Sequence, residues 1–162
     1  MATSKKIVLI GHFGVGKTSL IRRFVENTFS EDYKVTIGVH ISKKLLTINE
    51  EEQISFIIWD LEGQDNITNT RASYLLGTNG FIYIFDLSRP ITFKNLNLEL
   101  NFLKENYPNT PIKVVGNKKD LVNKSYLTQY DDVFKDFVDL FVSAKTGSSV
   151  EILFSKLAKE LI

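Results

Sequence analysis

The chain has 162 residues, with 20 Lys and Arg against 19 Asp and Glu, for a formal net charge of +1. Its 43% apolar and 24% charged residues are the balance of an ordinary globular chain with length for one core. Having no cysteine, it can hold no disulfide, no Cys-ligated zinc or iron–sulfur centre, no thiol nucleophile and no Cys-linked lipid, and the charge balance argues against a broad nucleic-acid or polybasic membrane surface.

In chain order, residues 7–10 form a continuous apolar run, which predicts a strand buried on both faces, as in a parallel sheet. That run is shorter than a signal-peptide core, and no stretch approaches the ~18 apolar residues needed to span a bilayer, so a cytoplasmic protein is expected. Residues 11–17 read as a loop, and 18–27 as a helix with Leu20, Ile21, Phe24 and Val25 on its apolar side. Two β-rich runs, 39–48 and 53–59, suggest an antiparallel hairpin. Residues 80–86 are a second buried strand, and 91–105 a helix carrying Phe93, Leu96, Leu100 and Leu103, stopped by Pro108. Strands follow at 112–116 and 140–142. Ser148 with Glu151 three residues on is a capping-box pattern ahead of a last helix with Val150, Leu153, Phe154, Leu157 and Leu161 on one face. Strands alternating with helices imply an open α/β sheet, made mixed by the antiparallel edge.

Gly11-His12-Phe13-Gly14-Val15-Gly16-Lys17-Thr18 fits G-x-x-x-x-G-K-[ST] between a predicted strand and a predicted helix, the context that a phosphate-binding loop requires. Gly11, Gly14 and Gly16 let the backbone turn tightly, so that N–H groups through Val15 and on to Ser19 can meet phosphate oxygens, aided by the helix N-terminus. Lys17 can reach the β- and γ-phosphates, and the Thr18 hydroxyl can ligate Mg²⁺. This motif says nucleoside triphosphate without naming the base. Phe13 is bulky for a loop beside a γ-phosphate: it either turns away to pack on the following segment or partly blocks an arginine supplied by a partner. His12 reads as a solvent-facing loop residue.

Two later segments address the base. Asn117-Lys118-Lys119-Asp120 and Ser143-Ala144-Lys145 each follow a predicted strand, at the carboxyl ends where open α/β sheets bind ligands. Asp120 can accept two hydrogen bonds from guanine N1–H and N2–H₂, a donor pair that adenine lacks. Asn117 can brace the loop and meet the base, and the Lys118 stem can cover the ring.

Across residues 4–162 the chain resembles the Ras-like small GTPases, most closely their Rab-like branch. The motifs that carry the resemblance are Gly11–Thr18, Thr36 within Val35-Thr36-Ile37-Gly38, Trp59-Asp60-Leu61-Glu62-Gly63-Gln64, Asn117–Asp120 and Ser143–Lys145. The resemblance implies a P-loop NTPase G domain: a six-stranded mixed sheet with one antiparallel edge strand, flanked by five helices. It also implies GTP and GDP as substrate and product, with Mg²⁺. By position, Phe29 resembles the aromatic set edge-on to guanine, and Tyr33 the tyrosine that closes over the phosphates. Thr36 resembles the switch I Mg²⁺ ligand that also senses the γ-phosphate, and Asp60 the acidic residue that holds Mg²⁺ through water. Gly63 resembles the glycine whose N–H meets the γ-phosphate, and Gln64 the glutamine that orients attacking water. Arg22, Arg23, Arg71 and Arg89 read as surface or packing residues. Glu62 departs from the family's usual alanine, adding a negative charge near an anionic site that should weaken binding unless it points out or pairs with a cation. Asp65-Asn66-Ile67 also departs from the usual run.

The expected function is a GTP/GDP switch with slow Mg²⁺-dependent hydrolysis. Two switch segments, roughly 29–38 and 61–74, would relax when the γ-phosphate leaves. An activating protein, an exchange factor and effectors are the implied partners, with no nucleic acid and the chain itself a monomer. The rivals are a pseudo-GTPase that uses GTP as a structural ligand, a P-loop phosphotransferase, and a G domain taken from a larger protein. The match to one G domain over 1–162 is expected to lack the prenylated tail of the Rab-like branch, since no cysteine is present. Membranes would then be reached only through partners.

Overall fold

The computed structural model describes residues 3–32, 35–64 and 66–162. Six strands form one sheet: β1 (Thr3–Ile10), β2 (Val39–Thr47), β3 (Gln53–Leu61), β4 (Gly80–Asp86), β5 (Ile112–Asn117) and β6 (Leu140–Phe141), in the order β2-β3-β1-β4-β5-β6. Only β2 runs antiparallel, against β3, so the expected mixed sheet with one antiparallel edge is what forms.

The continuous apolar strands are explained by cover on both faces. In β1, Ile7 and Leu9 join the layer beneath α1 (Lys17–Glu26) and α6 (Val150–Leu161), while Val8 and Ile10 join the opposite layer. That second layer holds α2 (Ala72–Leu75), α3 (Leu96–Asn106), α4 (Lys124–Gln129) and α5 (Asp131–Phe137). The last two meet at Tyr130 and occupy one place, which makes five helical positions around the sheet among the described residues. No helix of these residues is long and apolar enough to cross a membrane.

Phe24 of α1 and Phe154 of α6 stack with ring centroids 3.7 Å apart, and both are buried. Phe154→Ala removes a full aromatic ring from this layer. It is expected to destabilise the protein by about 3–5 kcal/mol, read as a fall in the thermal midpoint; a loss below about 1 kcal/mol would contradict the packing.

Two local expectations are corrected. The helix expected over 91–105 is instead a 3-10 turn, Pro90–Thr92, followed by a break and then α3. The buried Thr92 hydroxyl is responsible: it accepts the Asp86 N–H (2.9 Å) and lies 2.8 Å from the Arg89 carbonyl, tying the turn to the end of β4. The Ser148–Glu151 capping box does not form. The residue before α6 is Ser149, in the left-handed region at φ 61°, with no side-chain cap. The carbonyl of Ser148 accepts the Ser143 N–H at 3.1 Å, so this serine closes the loop after β6 rather than capping the helix.

Candidate functional site

The carboxyl ends of β1, β3, β5 and β6 face a cleft of about 510 Å³, lying where the strand order reverses direction around β1. Gly14, Gly16, Lys17, Thr18 and Ser19 form its floor, and Phe13 and Gly63 one wall. Phe29, Thr36, Asn117, Lys118, Asp120, Ala144 and Lys145 complete it. Gly11 and Val15 lie behind the loop, with Val15 fully buried. Tyr33 lies outside the described residues.

The loop between β1 and α1 is held by its glycines. Gly16 precedes α1 at φ 101°, and a Cβ there would lie 2.3 Å from Asn117 Nδ2. Asn117 Nδ2 donates to the Val15 carbonyl (2.9 Å), and Asn117 Oδ1 accepts the Ala144 N–H (3.1 Å). One buried asparagine thus joins the loop after β1 to the loop after β6. Gly16→Ala would strain the backbone and expel Asn117 together. It is expected to weaken nucleotide binding by at least about tenfold, measured by titration with a fluorescent nucleotide; unchanged binding would contradict this coupling.

Lys17 is 6% exposed and donates to the carbonyls of Gly11 (3.0 Å) and His12 (2.9 Å). Burial pushes its ammonium down to about 8, partly opposed by the Asp60 carboxylate. Beside it, Thr18 Oγ1 donates to Asp60 Oδ2 at 2.6 Å and lies 2.8 Å from Thr36 Oγ1. Asp60 is 3% exposed, and its Oδ1 has no hydrogen-bond partner among the described residues. Burial raises its carboxyl above the usual range, opposed by the Thr18 hydroxyl, Lys17, His40 and Thr36. An orphaned carboxylate oxygen beside two hydroxyls is a hard-oxygen donor set of the kind that fits Mg²⁺.

At the other end, Ser143 Oγ donates to Asp120 Oδ1 at 2.7 Å, fixing an otherwise exposed carboxylate at the cleft. Lys118, at φ 66°, turns back so that its Nζ donates to the Gly14 carbonyl and pairs with Asp86 Oδ2, each at 2.9 Å. Lys145 pairs with Glu31 at 2.8 Å, which raises the ammonium and lowers the carboxyl.

The segment after β3 lies against the loop between β1 and α1. A Cβ on Gly63 would come within 2.6 Å of Phe13 Cα, so only glycine allows this approach. The Glu62 backbone N–H donates to the Gly38 carbonyl (2.9 Å), and its carboxylate accepts the Gly38 N–H (3.4 Å), which directs the added charge to the base of the 29–38 segment. Gln64 donates its N–H to the Gly11 carbonyl (3.3 Å), while its Nε2 lies 3.5 Å from Glu62 Oε1, outside the cleft lining. Phe13 is half exposed on the cleft wall, and its carbonyl accepts from Arg89 (3.1 Å).

A model of the Ras family matches residues 6–162. The chain belongs to the Ras family. It is also 36% identical over 165 aligned positions to the Ras-related protein Rab-18 of Lymnaea stagnalis, covering 99% of this chain and 81% of that relative, and it lies in the Rab-like branch. It is a small GTP-binding protein, and the family's activity is GTP hydrolysis.

Three residues of this Ras-family GTPase take larger parts than sequence reading gave them. Asp86 is fully buried at the end of β4, where it anchors Lys118; a carboxylate at the carboxyl end of a buried strand was the available signal. Arg23 does not merely pack. Its Nε donates to the Ala144 carbonyl (2.8 Å) and its Nη2 to that of Lys145 (2.5 Å), clasping the loop after β6 from α1. Arg89 holds the Phe13 carbonyl, and nothing in the local sequence marked either arginine for these contacts.

Proposed function

We propose that this GTPase is a guanine-nucleotide switch of one G domain, with slow Mg²⁺-dependent hydrolysis. The observation that carries the reading is the cleft itself, which presents the Lys17 loop at one end and the Asp120 carboxylate, braced by Ser143, at the other. Guanine would donate N1–H and N2–H₂ to Asp120, with Asn117 and the Ala144 segment holding the base loop. The Lys118 stem would cover one ring face and Phe29 its edge.

Mg²⁺ would be held by Thr18, Thr36 and, through water, Asp60; when bound, it neutralises charge on the β- and γ-oxygens. Hydrolysis is in-line attack of one water on the γ-phosphorus. The new P–O bond forms as the bond to the β–γ bridging oxygen breaks, giving GDP and inorganic phosphate. Lys17 and the N–H groups of residues 14–19 would stabilise the charge that develops. Gln64 would orient the water after its side chain leaves Glu62. That rearrangement, with half-exposed Phe13 on the wall, supports slow turnover without an activating protein. Val35 and Ile37, within the first switch segment, and Leu76, just after the second, expose apolar surface at 57%, 87% and 78%, which supports recognition by effectors there.

The identity of the bound nucleotide tests the reading. Protein denatured after purification or after loading is expected to release guanine nucleotide, and GDP is expected to outcompete ADP by more than about a hundredfold. Bound adenine nucleotide would overturn the base assignment. The turned-away Gln64 favours one second reading, a pseudo-GTPase that holds GTP without cleaving it. Release of phosphate from bound GTP separates the two.

A further inference from the structure

Tyr83 of β4 and Glu99 of α3 form a buried polar pair inside the otherwise apolar layer under α3, at 1% and 6% exposure. The Tyr83 hydroxyl donates to Glu99 Oε2, and burial with the neighbouring carboxylate holds that phenol above its usual range. Among the described residues no lysine or arginine pairs with Glu99. Two apolar side chains would fill this place without desolvating a carboxylate. The second oxygen shows what the pair does instead: Glu99 Oε1 accepts the backbone N–H of Ile67 at 3.3 Å.

Ile67 opens the 3-10 turn Ile67–Asn69, three residues beyond Gln64, and its own side chain is buried in the same layer. The Asn66 side chain caps this turn by accepting the Thr68 N–H at 3.0 Å. Among the described residues the N–H of Ile67 is therefore one point where the segment that bears Gln64 is fixed to α3, and through Tyr83 to the sheet. A carboxylate with one oxygen held by a phenol has a fixed direction, so its other oxygen sets the position of that N–H.

We propose that Glu99 is a positioning residue for GTP hydrolysis: anchored by Tyr83, it fixes the start of the second switch helix region at Ile67 and so the approach of Gln64. The inference rests on the switch reading above, and it concerns residues that touch neither nucleotide nor water.

The test compares wild type, Tyr83→Phe/Glu99→Leu and Glu99→Gln, each loaded with GTP and Mg²⁺. The double variant replaces the pair with apolar groups and is expected to fold, with GTP and GDP affinities within about twofold of wild type. Its single-turnover phosphate release is expected to be about five- to tenfold slower, and its Ile67 amide hydrogen to exchange at least about tenfold faster. Glu99→Gln keeps an acceptor for Ile67 and gains an N–H for the Tyr83 oxygen, so it is expected to hydrolyse within about twofold of wild type. A purely structural pair would instead lower the melting temperature and affinity while sparing the hydrolysis step. Wild-type hydrolysis with unchanged Ile67 exchange in the double variant overturns the proposal, as does Glu99→Gln as slow as the double variant. Should the double variant fail to fold, Tyr83→Phe alone is expected to show the same faster Ile67 exchange, and its absence overturns the proposal too. A wild type that binds GTP but releases no phosphate defeats the switch reading instead.

Discussion

Lys17→Met is expected to weaken binding of GTP and GDP by at least about a hundredfold while leaving the nucleotide-free protein no less stable at neutral pH. The two effects separate because Lys17 is buried without an anion in hydrogen-bond contact. Among the described residues its donors meet the Gly11 and His12 carbonyls, and its burial pushes the ammonium down to about 8 from an unfolded value of 10.5. Below pH 8 both folded and unfolded chains carry the proton, and the folded state bears the full desolvation penalty. Between about 8 and 10.5 the unfolded chain binds more protons, so stability rises with pH across that window. The rise is bounded at about 3 kcal/mol, and methionine, which cannot titrate, should abolish it. Phosphate groups reverse the balance by supplying the missing anion, which is why binding suffers when the charge is removed. Chemical denaturation of nucleotide-free wild type and variant from pH 7 to 10.5 checks the slope, and nucleotide titration checks the affinity. Equal slopes would contradict the burial of a charged lysine.

Asp120→Ala is expected to lower affinity for GDP by at least about a hundredfold and to erase the preference for GDP over inosine diphosphate. Inosine lacks the N2 amino group, so in wild type it forfeits one of the two hydrogen bonds to the carboxylate. That difference should exceed about tenfold and shrink to about twofold or less in the variant. Asp120 is exposed, and its hydrogen bond among the described residues is from the Ser143 hydroxyl, so folding should be unaffected. Displacement of a fluorescent GDP analogue measures both ratios. A preference that survives in Asp120→Ala would place base recognition elsewhere, with the backbone around Ala144 the first place to look.

How far the sequence foretold these features depends on the range over which each is determined. Strands β1 and β4 were legible because burial on both faces writes itself as the unbroken apolar runs 7–10 and 81–85. The loops after β1 and β5 could be placed because strand–loop context fixes where Gly16, Lys17 and Asp120 must lie. The helices over 124–137 were not read, since α4 buries no side chain fully and α5 buries only Phe134. The capping box at Ser148 failed because a tertiary demand, closure of the loop that carries Ala144, took the backbone that a cap would have used. Glu62 could be flagged from sequence as a charge in the wrong place, but only the pairing of its carboxylate with Gly38 shows how it is accommodated. Arg23 and Glu99 were illegible for a related reason. The contacts that give them their parts are to backbone groups 121 and 32 residues away, and backbone groups leave no mark in a sequence.

The measurement that bears most directly on the switch is single-turnover release of phosphate from bound GTP, with and without a Mg²⁺ chelator, in wild type and Gln64→Ala. The cleft geometry predicts slow wild-type release, on the order of 10⁻⁴ to 10⁻³ s⁻¹, abolished by the chelator and at least about tenfold slower in Gln64→Ala. GTP that stays bound and uncleaved for more than about a day in wild type, or release faster than about one per second without any partner, would contradict it.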